Sequence, residues 1–149
     1  MAKIEAQTII DLNFVAEMFG KTSATFNAYI DLVITEQAKI LEGRIGASNY
    51  ALTTSPAKEY IARAELCLVA AEMIQRRMNR ILGNVVGTGN ALDITMERKQ
   101  RQDYLDEAEE IMQKIVAGVT ADSSDFASGV LESSHFEETA VLGGLEIKI

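Results

Sequence analysis

The sequence predicts a mainly α-helical protein: a small bundle of about four helices, with a Gly-rich loop or short hairpin and an extended C-terminal tail. Three observations predict it. Apolar residues recur at the 3.6-residue helical period through most of the first 118 positions. Ala, Glu, Gln, Leu, Ile and Met dominate the middle of the chain, and these residues lose little in a helix. There is one proline and no tryptophan, so the frequent turn signals of an all-β sandwich are missing.

A first helix is expected over 8–19. Ile9, Leu12 and Ala16 fall on one face, Ile10, Phe14 and Met18 widen it, and Gly20 stops it. A second helix starts at Ser23 or Thr25 and runs to Ile45. Its stripe is Phe26, Ile30, Val33, Gln37, Ile40, Leu41 and Arg44, and Gly43 and Gly46 loosen its end. Residues 47–55 read as a connector in which Tyr50 and Leu52 cover the end of the core.

Ser55-Pro56 suits a helix start, since serine caps free N–H groups and proline fits the first turn. The central helix follows from Pro56 to Leu82, about 40 Å at 1.5 Å per residue. Tyr60, Ala64, Cys67, Leu68, Ala71, Ile74, Met78 and Ile81 form one unbroken apolar stripe, and Leu66, Val69 and Met73 broaden it. Gly83 ends it. The stretch 83–91, GNVVGTGNA, reads as a loop or small hairpin. The last helix is expected from Thr95 to Ala117, with Tyr104, Ala108, Ile111, Met112 and Ile115 buried and Gly118 closing it.

The organisation is therefore a helical domain over 1–120 and an acidic arm over 121–149. The chain's net charge is −8. The first 120 residues carry 13 basic and 16 acidic groups, and the arm carries one and six. This balance disfavours general nucleic-acid binding, which needs clustered Lys and Arg on phosphates. The arm also holds Phe126, Val130, Leu131, Phe136, Val141 and Leu142, more large apolar groups than a purely solvating tail carries. It reads either as a segment ordered by a partner or as an unstructured end. No apolar run has the length of a membrane span, and no secretory leader is visible.

No chemistry stands out, so no enzyme activity, metal or cofactor is expected. His135 has no second His or Cys near it to hold zinc. Cys67, the single cysteine, lies on an apolar stripe without an activating base. GNVVGTGN lacks the lysine of a phosphate loop and follows a helix where a dinucleotide fingerprint needs a strand. Asp103, Asp106, Glu107, Glu109 and Glu110 read as a solvated helix face.

Two basic clusters remain, Arg76, Arg77 and Arg80, and Arg98, Lys99 and Arg101. Three readings apply to them. They solvate the chain and complement a helix dipole, they form an intersubunit contact against an acidic neighbour, or they touch DNA.

The order AKILEGRIGASNYAL, then a proline and YIARAELCLVAAEMIQRRM, then a loop and YLDEAEEIMQKIVAG, resembles the head–tail connector (adaptor) proteins of tailed bacteriophages. The resemblance covers roughly residues 25–118. In that family a helix closes on a glycine and a tyrosine-containing turn, a proline opens a long Ala- and Leu-rich helix, and a last helix ends on glycine. The resemblance implies a virion structural protein, made in the host cytoplasm and assembled at the head–tail interface as a homo-oligomeric ring, commonly of twelve subunits. It implies the portal protein and a tail or stopper protein as partners, with DNA passing through unbound. Carried onto this sequence, Phe126, Val130, Leu131, Phe136 and Leu142 are the portal-binding anchors. The loop with Val85, Val86, Gly87 and Gly89 faces the next component or the channel; on the intersubunit reading of the two basic clusters, which the charge pattern and not the resemblance supplies, Arg76, Arg77, Arg80, Arg98 and Arg101 face the neighbouring subunit. The competing reading is an oligomeric DNA-packaging regulator resembling a small terminase, which needs the two basic clusters to converge on one exposed face.

Overall fold

The computed structural model describes residues 1–84 and 91–118. Among them the chain is helical and holds no strand: α1 is Ala6–Ile10, a 3-10 turn spans Ala16–Phe19, α2 is Ser23–Ile45, α3 is Ala47–Tyr50, α4 is Ala57–Asn84 and α5 is Ala91–Val116. The expected mainly α bundle is the observed one. The expected loop or hairpin and the C-terminal arm lie outside the described residues.

The N-terminal segment departs from the single helix expected over 8–19. The chain leaves α1 after Ile10, and Asn13 takes a left-handed φ of 66° before the 3-10 turn begins. Asparagine is one of the few residues that enters this region at low cost. The break has a packing reason. In a continuous helix, residues five apart point about 140° away from each other, so Ile9, Phe14 and Phe19 would face three directions. Broken, the segment buries Ile9, Phe14, Ala16 and Phe19 together. Gly20 ends the segment as expected, with φ 64° and its N–H donating to the Glu17 carbonyl at 3.1 Å.

Thr22 and Thr25 start α2, where the Thr22 N–H donates to Thr25 Oγ1 at 3.2 Å. The buried face of α2 is Phe26, Ile30, Val33, Ile34, Gln37, Ala38, Leu41 and Ile45. Ile40, expected on the stripe, is 48% exposed, and Ile34 and Ala38 take the inward positions. The connector 47–55 contains the one-turn helix α3, which drives the Tyr50 ring into the core as anticipated.

The long helix α4 is the axis of the bundle. It runs two residues past the expected Leu82. The buried apolar side chains form two clusters along it. In one, the N-terminal segment and the first half of α2 pack on Val69, Ala70, Met73, Ile74 and Met78. In the other, the second half of α2, α3 and the second half of α5 pack on Ile61, Ala64, Cys67 and Leu68. Both α2 and α5 therefore run antiparallel to α4. The α5 helix starts at Ala91, four residues before the expected Thr95, and ends near the expected point, with Gly118 left-handed at φ 78°.

Candidate functional site

The arginines expected at a subunit contact sit where the C-terminal part of α4 meets the 3-10 turn, α2 and α5. They have different surroundings. Arg76 donates from Nε to Glu72 at 2.7 Å and from Nη2 to Glu36 of α2 at 2.6 Å. Its guanidinium also lies 5.6 Å from the Tyr29 ring centre. Its charged form is strengthened by the Glu72 and Tyr29 contacts, which outweigh the opposing effect of burial.

Arg77 pairs with Glu97 of α5, lies 5.3 Å from the Phe14 ring centre and reaches Met18 Sδ at 3.4 Å. Arg80 donates to the Glu17 carbonyl at 2.8 Å, and its guanidinium lies against Gly20. These three arginines clamp the N-terminal segment and α2 to α4. Arg76 and Arg80, four residues apart, share a side of α4 one turn apart and so reach α2 and the 3-10 turn, while Arg77 points about 100° away from Arg76 and reaches α5.

Arg98 and Arg101 have another setting. They line a cleft between α4 and α5 with Gln75, Met78, Leu82 and Gln102. Lys99 is exposed. The two basic clusters thus do not merge into one exposed cationic face among the described residues.

The acidic face of α5 proves to be partly an interhelical seam. Glu107 receives a bidentate pair from Arg63 of α4, at 2.6 and 2.9 Å. The Arg63 hydrogen bonds hold the Glu107 carboxyl below the usual carboxylate range, and Glu107 in turn raises Arg63. Glu109 pairs with Arg44 of α2, and Glu110 with Lys114 at 2.6 Å. Asp106 accepts from Gln102 at 2.7 Å, a local contact, and Asp103 is exposed. Cys67 is buried against this seam, and burial pushes its thiol up to about 12, which makes it inert packing at neutral pH.

Sequence reasoning missed Glu65. It is fully buried on α4, one residue after Ala64. Its Oε1 accepts the backbone N–H groups of Lys3 at 2.8 Å and Ile4 at 3.2 Å, and its Oε2 accepts the Tyr50 hydroxyl at 2.6 Å. Burial, and then the neighbouring Glu65 carboxylate, raises the Tyr50 phenol far above its usual range. The signal was present in the spacing. Ile61, Ala64, Glu65 and Leu68 share one helical face, so the carboxylate points inward with its apolar neighbours.

Phe126, Val130, Leu131, Phe136 and Leu142, the loop residues Val85, Val86, Gly87 and Gly89, and His135 all lie outside the described residues. Among the described residues, no group of three His, Cys, Asp or Glu side chains is placed to hold a metal ion, and no helix is long and apolar enough to cross a membrane. Comparison with protein-family models, curated proteins and solved structures returns no match for this chain.

Proposed function

We propose that this chain is a head–tail connector (adaptor) subunit of a tailed bacteriophage. It is a structural protein without catalytic activity, forming a ring between the portal and the next tail component. The observation that carries this reading is the order of elements. Helix α2 closes on Gly46, the turn carries Tyr50, Pro56 precedes the long α4, and α5 closes on Gly118. That order matches the connector pattern over most of the bundle. The net charge of −8 suits a channel through which DNA slides, since like charge keeps phosphates off the wall. The arm from 121 onward, acidic but studded with large apolar residues, suits a segment that grips the portal.

The DNA-packaging reading draws on six basic residues in two clusters. Three of them, Arg76, Arg77 and Arg80, are already committed to partners within the chain. That weakens it as the leading reading.

Light scattering on the protein alone and with a portal protein tests the proposal. A large ring, or a monomer that assembles only on the portal, is the expected result. A monomer or dimer indifferent to the portal that retards duplex DNA would overturn it in favour of the packaging regulator.

A further inference from the structure

The cleft between α4 and α5 has a volume of about 390 Å³ and lies near the ends that the 85–90 segment joins. Elsewhere along these two helices an arginine meets a carboxylate, Arg63 with Glu107 and Arg77 with Glu97. Here two arginines, Arg98 and Arg101, line the wall, and among the described residues none that lines it is acidic. The Nε of Arg101 is buried without a hydrogen-bond partner among the described residues. A desolvated guanidinium N–H lacking an acceptor is costly, so an acceptor brought to this wall would stabilise it, a charged one most of all. The amide nitrogens of Gln75 and Gln102 already donate to Asn79 and Asp106. The α4 wall is apolar, formed by buried Met78 and by Leu82, which is 49% exposed. The site therefore calls for carboxylates beside a bulky apolar group.

We propose that this cleft is the docking site for Phe136-Glu137-Glu138 of the same chain, with the carboxylates on Arg98 and Arg101 and the phenyl ring against Met78 and Leu82. The arm from 121 onward carries six acidic residues and one basic one, opposite in sign to the cleft. Adjacent carboxylates occur in it only at Glu137-Glu138, and Phe136 precedes them directly. The reach is right. From Gly118 back to Arg101 along α5 is about 25 Å at 1.5 Å per residue. A coil of the length between Gly118 and Glu137 averages roughly 24 Å end to end. Matching span and length maximises the effective concentration of a tethered ligand. The inference stands apart from the connector reading; within that reading, the arm would leave the cleft when it grips the portal.

The test uses the full chain with Ser133→Cys carrying a nitroxide, since Cys67 is buried and escapes labelling. Loss of more than half of the amide signal at Arg98 to Gln102 is expected at about 50 mM salt, where screening is weak. The signal should return in Glu137→Gln/Glu138→Gln, which leaves the helical residues untouched, and in Arg98→Gln/Arg101→Gln. No loss in the parent chain, or equal loss in both neutralised variants, overturns the proposal. Loss seen only between differently labelled chains, and abolished by dilution, overturns docking within one chain in favour of a second copy. Inorganic phosphate that shifts these amides while the nitroxide leaves them unbroadened overturns it in favour of a small-anion site.

Discussion

The Tyr50 hydroxyl donates a 2.6 Å hydrogen bond to Oε2 of Glu65, and both groups are buried. The other carboxylate oxygen takes two backbone N–H groups from the start of the chain. One side chain thus joins the N-terminus, the α3 turn and the central helix. Removing it as Glu65→Ala takes the acceptor from two backbone N–H groups and leaves the Tyr50 hydroxyl only its longer contact to the Met1 carbonyl at 3.4 Å, at a cost of roughly 1–3 kcal/mol for each group left unsatisfied. Urea unfolding should show Glu65→Ala destabilised by at least about 3 kcal/mol and Tyr50→Phe by about 1–2 kcal/mol. Equal and small losses in the two variants would refute this arrangement.

Glycine is favoured at position 20 for two reasons. Its φ is +64°, and a Cβ there would lie 2.7 Å from Arg80 Nη1. Gly20→Ala is expected to lose more than about 1 kcal/mol, because alanine is strained at positive φ and the guanidinium must move. In the Arg80→Ala background the penalty of Gly20→Ala should shrink, leaving only the backbone part. Additive losses in a double-mutant cycle would show that the close approach contributes nothing.

Alkaline pH should destabilise the fold through Cys67. Its thiol is pushed up to about 12 when folded, against about 8.5 in an unfolded chain. Below that lower value both states are protonated and the group has no effect on stability. As pH rises from about 8.5 toward 12 only the unfolded state ionises, so stability falls. Cys67→Ala should flatten the pH dependence of the urea midpoint between pH 9 and pH 10, where Tyr50 adds little. A thiol reagent at pH 8 should leave the native protein unmodified and react on unfolding.

The two arginine–glutamate pairs along α4 and α5 should differ in worth. Arg63 and Glu107 are 48% and 39% exposed, and such pairs contribute about 0.2–1 kcal/mol. Arg77 and Glu97 are 14% and 20% exposed, and Arg77 also covers Phe14. Arg77→Ala is therefore expected to cost more than Arg63→Ala in the same unfolding assay. Acid weakens the Arg63 pair in a defined sense. Glu107 is held below its usual range, so its contribution is present above the unfolded carboxylate value of about 4.3 and is lost as pH falls through the lower folded value.

Periodicity made α4 and α5 readable because a long helix in contact with neighbours on several sides repeats its apolar positions many times. Ala64, Cys67, Leu68, Ile74 and Met78 were placed correctly on that basis. The N-terminal segment was not readable this way. Its buried residues are shared among a five-residue helix, the bend that carries Phe14 and a 3-10 turn, too short for any period to declare itself. Ile40 was misplaced because α2 turns its apolar face toward Ile34 and Ala38 instead. The pairs of Glu107 with Arg63 and Glu109 with Arg44 were invisible, since they depend on how separate helices align. Glu65 is legible in spacing, since it shares the inward face of Ile61, Ala64 and Leu68, but its charge reads as solvent-facing until its three donors are seen. Of the candidate contact residues, the bundle brings Arg98 and Arg101 to one cleft and sends Arg76, Arg77 and Arg80 to internal partners.

The bond from the Lys3 N–H to Glu65 spans 62 positions of sequence. During synthesis, Lys3 and Ile4 leave the ribosome long before their acceptor does. They must wait, hydrated and unanchored, until the first turns of α4 have emerged. This segment is therefore secured late, and a pause in translation before Glu65 is reached would prolong its exposure to proteases and chaperones.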